Sequence, residues 1–365
     1  MRTSTIFAIV ASLGVAIADD VYLGFNSGAT TDSKNAKKQA DFEKEFETAQ
    51  KLRDSPGLFN AIRLYTNIQA ETTDTPIEAF PAAVKTNTKL LLGLWCSGTT
   101  SIKNELSALS KGIDQYGTNF TNLVIGISVG SEDMYRVSES GIRNNAGLGQ
   151  AAEAIANFVK EVRDNIKDTP LSKIPVGHVD TWTAWVNESN KAVVDEVDFV
   201  GANLFPYYED DKGNDFSNAT AVFGDAFNKT KNAVGDKPVW ITETGWPITG
   251  PDFGKAKASL DNAKGYWETI GCTLFGRTNT FWYTLHDSNP DNKAKFAITK
   301  DLSTTPQFNL TCPANAGAPP SINTSPSNSE NGNNGKSAAS TTSSSLMSWL
   351  VAGLSFVCAV AAWAA

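Results

Sequence analysis

Two glutamates follow strand-like apolar runs, where a catalytic carboxylate would be presented to a substrate. Glu243 ends the run Val239–Thr242, and the chain soon breaks at a glycine and a proline. Glu132 follows the apolar stretch Leu123–Val129 in a similar way. A pair of carboxyl groups can cleave a glycosidic bond, because one protonates the leaving oxygen while the other attacks the sugar or activates water. Either glutamate alone would more often be a surface residue, but the pair indicates this chemistry.

The elements that must position these glutamates follow from the alternation of apolar runs with helical stripes. Several runs are almost continuously apolar, as in strands of a parallel sheet that is covered on both faces. Between them, stripes such as Ile155–Ile166 repeat at helical spacing. Eight strands alternating with helices predict a single (β/α)8 TIM barrel, with an open doubly wound sheet as the alternative. The predicted strands are Val21–Phe25, Ala61–Tyr65, Lys89–Trp95, Leu123–Val129, Pro175–Thr181, Phe199–Leu204, Val239–Thr242 and Thr280–Thr284.

A barrel would bring the two glutamates to the same place. The carboxyl ends of all strands share one rim of a parallel barrel, and catalytic groups collect there. Glu132 follows the fourth predicted strand and Glu243 the seventh. Because these strands are not neighbours, the two carboxylates should face each other across the mouth of the barrel.

The charge and the histidine content exclude several other functions. The 365 residues include 31 basic and 39 acidic ones, a net charge of −8, and they lack the basic runs that nucleic-acid binding needs. His178 and His286 are the only histidines, and the cysteine spacings of a zinc site are missing. We therefore expect no nucleic-acid partner, no metal or cofactor, and no Ser-His-Asp triad.

The first residues predict secretion. Residues 1–18 combine a basic start, the apolar run Ile6–Ile17 and a small-x-small cleavage signal. This pattern is typical of a signal peptide and is too short to span a membrane. We expect the folded domain over residues 19–313.

The last fifty residues predict a lipid anchor. Residues 314–345 are dominated by Ser, Thr, Asn, Gly, Ala and Pro, a composition that cannot build a core, and residues 346–365 are almost wholly apolar. This order is typical of a glycosylphosphatidylinositol (GPI) signal whose tail is removed, with a retained transmembrane helix as the alternative. We expect an extracellular protein on the outer face of the plasma membrane. The candidate attachment residues are Asn334, Gly335 and Ser337.

Cysteines and N-x-Ser/Thr sequons agree with secretion. Cys358 lies in the predicted tail, which leaves Cys272 and Cys312 as a candidate disulfide and Cys96 as a candidate buried thiol. Six sequons are candidate glycan sites, although a chain rich in Asn, Ser and Thr also yields sequons by chance. They are Asn119, Asn187, Asn218, Asn228, Asn309 and Asn323.

At four places the chain resembles glycoside hydrolase family 17. Val239–Pro247 resembles the nucleophile signature of that family, and Val129–Glu132 resembles its acid/base motif. Ile62–Tyr65 and Asn203–Tyr207 are similar to two further recurrent segments, and the likeness extends over about Val21–Cys312. The resemblance implies a retaining β-1,3-glucan hydrolase on a (β/α)8 barrel, with its acid on strand four and its nucleophile on strand seven.

On this resemblance Glu132 is the proton donor and acid/base, and Glu243 is the nucleophile. Together with the terminal signals, it implies the fungal, cell-wall-associated branch, with wall β-1,3-glucan as the partner and a covalent link to that glucan as an option. Two positions depart from the family pattern. Ser131 stands where the clan usually has an Asn that binds the sugar 2-hydroxyl, and Ile248 follows Pro247 where a small polar residue is usual.

Aromatic and polar residues near the two glutamates are candidates for substrate contact. Flat indole faces suit sugar rings, although each aromatic is about equally well explained as a core residue. Arg63 in a barrel interior would have to be paired. The predicted substrate-binding residues are Tyr65, Arg63, Ser131, Asn203, Tyr207, Trp246 and Trp282, with Trp95, Trp182, Trp185, His286 and Asp287 as further cleft candidates.

The sequence therefore predicts an anchored endo-β-1,3-glucanase that works by double displacement. Its nearest rival is a β-1,3-glucanosyltransferase, which passes the same covalent intermediate to a sugar instead of water. A non-catalytic glucan-binding wall protein is disfavoured because both carboxylates are present. A β-1,4-glucanase or mannanase on the same fold is disfavoured by the Gly-Trp-Pro sequence after Glu243.

Overall fold

Eight parallel strands form one closed barrel in the computed structural model, which describes residues 21–318. The strands are β1 Leu23–Ser27, β2 Ala61–Leu64, β3 Lys89–Leu94, β4 Val124–Ser131, β5 Val176–Thr181, β6 Phe199–Asn203, β7 Val239–Thr244 and β8 Thr280–Trp282. Each strand pairs with the next one in the chain, and β8 pairs with β1. The predicted (β/α)8 barrel is confirmed, and the open-sheet alternative is wrong.

The longer helices cover the outside of the barrel because they present apolar stripes to it. In the helix Ala152–Ile166, buried residues repeat at helical spacing from Ile155 through Val159 and Val162 to Ile166. The helices are α1 Gln39–Gln50, α2 Ala79–Thr86, α3 Lys103–Thr121, α4 Asp133–Val137, α5 Glu139–Arg143, α6 Ala152–Ile166, α7 Trp182–Trp185, α8 Lys191–Glu196, α9 Ala219–Val234, α10 Leu260–Tyr266 and α11 Cys272–Leu274, with a π-helical turn at Trp267–Gly271.

Three strands, β1, β4 and β7, run further than the sequence predicts, and the last two lead to a candidate glutamate. β7 continues to Thr244 and β4 to Ser131, whereas the predicted strands end at Thr242 and Val129. The pairing register shifts near both ends. Such irregularities re-aim side chains and are common beside active sites. Glu243 therefore lies inside a strand, while Glu132 directly follows one.

Different aromatic residues pack inside and outside the barrel. Successive side chains of a strand point to opposite faces of the sheet. Phe281 of β8 belongs to a small cluster with side chains from five other strands, whereas the next residue, Trp282, packs against Trp267 and Phe275 in the helical layer. Trp282 therefore faces away from the barrel interior.

A disulfide closes the C-terminal part of the described chain. Cys272 and Cys312 are bonded across a sequence separation of 40 residues. A loop of that length contributes about 4 kcal/mol in the chain-entropy account of disulfides. The indole N–H of Trp267 donates to the carbonyl of Leu310 near this bond, and Cys96 is free and buried.

The predicted glycan sites differ in whether their side-chain nitrogen, which would carry the sugar, is accessible. This nitrogen is buried in Asn228, so a glycan there would require the side chain to turn outward. In Asn218 it donates to the carbonyls of Lys212 and Gly213, and a glycan would cost at least one of these bonds. The sites that are exposed are Asn119, Asn187 and Asn309.

Several predictions fall outside the described residues. They concern the signal peptide at 1–18, most of the linker at 314–345, the apolar tail at 346–365, the sequon at Asn323 and the attachment candidates Asn334, Gly335 and Ser337. Within residues 21–318, none of the helices combines the length and the apolar character that crossing a bilayer requires.

Candidate active site

Glu243 lies near the C-terminal end of β7 and is only 1% exposed. Its Oε1 atom accepts hydrogen bonds from Arg63 Nη1 at 2.5 Å and from the Tyr65 hydroxyl at 2.9 Å. Burial raises the pKa of Tyr65 well above its usual range, so this hydroxyl stays a donor. The Oε2 atom of Glu243 is buried and has no partner among the described residues. Since buried polar atoms are normally bonded, Oε2 is the oxygen left free to react.

Arg63 of β2 connects Glu243 to the rest of the rim. Its buried guanidinium forms an ion pair with Glu243, as a charge in a barrel interior must. Nη1 also donates to Asn26 Oδ1 at 2.8 Å, and Nη2 donates to Ser131 Oγ at 2.8 Å. The guanidinium lies 4.6 Å from the centre of the Tyr65 ring. One side chain thus orients Glu243 and reaches the residue that precedes Glu132.

Glu132 has a left-handed backbone, with φ 58° and ψ 25°. For a residue other than glycine this conformation costs about 1–3 kcal/mol and persists only where the surroundings fix it, often at functional sites. Its Oε1 atom accepts a hydrogen bond from Asn203 Nδ2 at 2.9 Å, and its Oε2 atom lies 3.8 Å from Arg136 Nη2. The side chain is 12% exposed, against 2% for that of Glu243.

The pKa of Glu132 is raised to about 7. Burial is the largest cause, and the negative charge of Glu243 is the second, while Arg136 and Asn203 act in the opposite direction. The two carboxyl groups are therefore electrostatically coupled. Glu132 keeps its proton up to about neutral pH, as a general acid needs to do.

Two aspartates hold the backbone on either side of Glu132. Asp133 accepts a hydrogen bond from the backbone N–H of Ser131 at 2.8 Å. Asp180 of β5 accepts one from the backbone N–H of Met134 at 2.9 Å. These bonds hold the backbone on both sides of Glu132. The backbone conformation therefore helps to set the direction of its side chain.

Ser131 and Asn203 join the two halves of the site. Asn203 of β6 lies in register with Glu243, yet its amide donates to Glu132. The Ser131 hydroxyl is bonded by Arg63. An amide therefore does lie beside the acid, but it comes from β6 instead of from position 131, where the family resemblance expects it.

Three of the aromatics predicted to bind substrate are core residues, and these predictions are corrected. Tyr207, Trp246 and Trp282 are each at most 2% exposed. The hydroxyl of Tyr207 donates to the carbonyl of Pro251, and the indole of Trp246 donates to that of Lys257. Burial leaves them no free ring face for a sugar.

The further cleft candidates differ in their burial and in their contacts. Trp185 is buried, and Trp182 donates its indole N–H to a glutamate carboxylate at 2.7 Å. Asp287 accepts backbone N–H bonds from the loop that follows β8, which gives it a structural contact. Trp95 and His286 are half-buried.

Asn26, Arg136 and Asp180 belong to the site but are missing from the sequence-based prediction. Asn26 directly follows the first predicted strand, so the reasoning that identified Glu132 and Glu243 also applies to it. Arg136 lies one helical turn after Glu132. The role of Asp180 depends on a contact between β5 and α4 that no local pattern encodes. Within residues 21–318, no three His, Cys, Asp or Glu side chains are arranged to hold a metal ion.

Residues 24–300 match the BtgE/BtgC glycoside hydrolase domain. Among curated relatives, the probable glucan endo-1,3-beta-glucosidase eglC of Aspergillus oryzae is 50% identical over 82% of this chain and 65% of its own length. Its namesake from Aspergillus terreus is 49% identical over 86% of this chain and 64% of its own length. The chain thus spans slightly less than two thirds of these two relatives.

Solved structures share the barrel. A glycoside hydrolase family 17 β-1,3-glucanosyltransferase from Rhizomucor miehei aligns with a TM-score of 0.61 at 23% identity, covering 78% of this chain and 98% of that one. An endo-laminarinase from Formosa Hel1_33_131 gives a TM-score of 0.59 at 14% identity, covering 76% of this chain and 82% of that one. At these identities the likeness establishes the fold.

Proposed function

Because the chain belongs to the BtgE/BtgC glycoside hydrolase family, we propose that it is a retaining endo-β-1,3-glucanase acting on cell-wall glucan. One observation carries the proposal. Glu243 has one oxygen bonded to Arg63 and Tyr65 and the other free, beside a carboxylic acid, Glu132, whose pKa is raised to about 7. A retaining glycosidase needs this combination of nucleophile and acid.

In the first step, Oε2 of Glu243 attacks the anomeric carbon while Glu132 gives its proton to the glycosidic oxygen. The bond between carbon and leaving oxygen breaks as the ester bond to Glu243 forms. Arg63 and Tyr65 hold the other oxygen, so Oε2 is directed at the sugar. The departing glucan leaves as a neutral alcohol.

In the second step, Glu132 acts as the base. The charge of Glu243 is one cause of the raised pKa of Glu132, and esterification removes that charge. The pKa of Glu132 then falls, and its carboxylate can take a proton from water as the water attacks the anomeric carbon. Cleavage of the ester restores Glu243 and the proton on Glu132, and the product has the configuration of the substrate.

The choice of β-1,3-glucan rests on the Aspergillus relatives, which are named as probable glucan endo-1,3-beta-glucosidases. A panel of laminarin, a mixed-linkage glucan, a β-1,4-glucan and a β-mannan tests this choice. We expect turnover of laminarin at a kcat/KM at least tenfold above the β-1,4 substrates, with oligosaccharides of many lengths appearing early, as internal cleavage produces. A preference for β-1,4-glucan or mannan would overturn the substrate assignment.

The second candidate, glucanosyl transfer, uses the same first step with a sugar hydroxyl in place of water. Incubation with laminari-oligosaccharides of one length separates the two reactions. Products that are all shorter than the substrate support hydrolysis. Products longer than the substrate assign transfer instead, with the roles of Glu132 and Glu243 unchanged.

We also propose that the enzyme is secreted and held at the plasma membrane or the wall through a GPI lipid. The proposal rests on the sequence of residues 1–18 and 314–365. Phosphatidylinositol-specific phospholipase C should release the protein from membranes of expressing cells, and removal of residues 346–365 should send it to the medium. Retention of the lipase-treated protein in the membrane, with the apolar tail still attached, would favour a transmembrane helix.

A further inference from the structure

Glu105 is a buried carboxylate that the proposed mechanism does not use. It lies in the first turn of α3, outside the barrel, and is 4% exposed. Its Oε1 atom accepts a hydrogen bond from Thr66 Oγ1 at 2.5 Å, and its Oε2 atom accepts one from the backbone N–H of Asn67 at 2.8 Å. This side chain therefore ties the start of α3 to the segment that follows β2.

The segment after β2 carries a contact to the nucleophile. Thr66 and Asn67 directly follow Tyr65, whose hydroxyl is bonded to Oε1 of Glu243. Thr66 Oγ1 also accepts a hydrogen bond from the backbone N–H of Ile68, so the turn is fixed on both sides of the bond to Glu105. The tyrosine hydroxyl stands at the far end of a long side chain. A small rotation of the backbone at this turn would therefore move the hydroxyl away from Glu243.

Glutamine cannot keep both contacts of Glu105 in the same form. Two donors, one hydroxyl and one backbone N–H group, each bond one of its two oxygens. Glutamine has only one acceptor oxygen. If that oxygen accepts from the backbone N–H of Asn67, the amide meets the Thr66 hydroxyl, which already accepts from Ile68 and would lose its own acceptor. The arrangement also costs free energy, since burial raises the pKa of Glu105 to about 7 despite these bonds.

We propose that Glu105 is a positioning residue for the nucleophile, which from outside the barrel clamps the Thr66–Asn67 turn and so keeps the Tyr65 hydroxyl on Oε1 of Glu243. The inference rests on the proposed glucanase reaction, but it assigns a role to a helix residue that never touches the sugar. Its effect must therefore pass through Tyr65, and this property separates it from a general contribution to folding.

A double-mutant cycle tests the proposal. Glu105→Gln, Tyr65→Phe and the double variant are compared with the wild type for kcat and KM on laminarin. We expect Glu105→Gln to lower kcat about tenfold with little change in KM, because a misplacement of this kind slows the chemical step. The double variant should be within about twofold of Tyr65→Phe alone, because the clamp has nothing left to position. If the two factors multiply instead, the proposal is overturned.

A matched control is offered by Glu45 of α1. It too is a buried helix carboxylate that holds a strand-end hydroxyl, that of Ser27, but it does not contact the turn after Tyr65. It also pairs with the buried Lys37 at 2.7 Å, so Glu45→Gln should cost more stability than Glu105→Gln. The effects of Glu45→Gln and Tyr65→Phe should multiply. Coupling of equal size in both cycles would show a non-specific loss of packing and would contradict the proposed role.

Two further variants keep the test open if Glu105→Gln does not fold. Thr66→Val removes one bond of the clamp and leaves the carboxylate in place, whereas Thr66→Ser keeps that bond. The valine variant should reproduce the drop in kcat and its coupling to Tyr65, whereas the serine variant should keep kcat close to that of the wild type. An inactive wild-type chain would overturn the proposed function, while independent factors in an active chain overturn this inference alone.

Discussion

The two glutamates at the mouth of the barrel occupy contrasting environments. Glu243 lies within a strand, is almost fully buried and is bonded to a guanidinium. Glu132 has a left-handed backbone, a more exposed side chain, an amide partner and a pKa raised to about 7. In the proposed mechanism, the same residue type serves two roles that are set by its backbone and its partners. In this account, exchanging the environments would exchange the roles.

Removal of either carboxylate should have the largest effect on activity. With azide, the two variants should give different products. Glu243→Ala is expected to lower kcat on laminarin about 10⁴-fold or more, because the covalent step is lost. Azide should then restore turnover of an aryl β-laminaribioside and give the α-glycosyl azide. With Glu132→Ala, azide meets the glycosyl-enzyme and should give the β-glycosyl azide.

The product anomer is read by NMR spectroscopy. An exposed glutamate of α5 is the control, since Glu139→Ala should leave turnover unchanged. If both variants gave the same azide anomer, the assignment of roles would be wrong.

The next largest effect is expected when the leaving group of the substrate is changed. Glu132→Gln removes the proton donor, and its effect on laminarin should be about 10² to 10⁴-fold. A dinitrophenyl leaving group needs no proton, so formation of the glycosyl-enzyme from the dinitrophenyl β-laminaribioside should slow less than tenfold. Pre-steady-state release of dinitrophenol measures this step. An equal loss on both substrates would argue against Glu132 as the acid.

The pH dependence tests the raised pKa of Glu132. The acid must be protonated in the free enzyme, and its pKa lies at about 7. The kcat/KM for laminarin should therefore fall as the pH rises above about 7, approaching a tenfold loss per pH unit. In Glu132→Gln this alkaline limb should disappear. A wild-type limb near the ordinary pKa of a glutamate would show that burial and Glu243 do not control the acid.

The smallest kinetic effect is expected for Trp282, an aromatic residue that the structure places in the core. Trp282→Phe should leave kcat and KM within about twofold, because Trp282 packs in the helical layer. The lost buried area should lower the free energy of unfolding by about 1–2 kcal/mol. Tyr65→Phe is the matched change, as it deletes only the hydroxyl on Glu243 and should lower kcat with little loss of stability. Equal KM changes in both variants would show that Trp282 does contact the substrate.

The barrel and both glutamates were predictable because each has a local signature. A buried strand is a continuous apolar run, and a carboxylate directly after such a run stands out. Asn26 is a polar residue that also directly follows a predicted strand, so the same reasoning could have identified it. These features depend only on residues that are close together in the chain.

The side to which a residue points at a strand end was not predictable in the same way. Trp282 and Phe281 are both aromatic, and only the pleat of β8 sends one inward and the other to the helices. The contacts of Asp180 and Glu105 cross between elements far apart in the chain. The left-handed backbone of Glu132 follows from such contacts as well, so it appears only when the chain is folded.

Trapping of the covalent intermediate tests the central claim most directly. A dinitrophenyl laminaribioside with fluorine at carbon 2 of the reacting sugar should form the glycosyl-enzyme and hydrolyse slowly. Mass spectrometry of the digested protein locates the label. The account predicts a single adduct, on the peptide that contains Glu243, and none in Glu243→Gln. An adduct on another residue, or products of inverted configuration with no adduct, would contradict it.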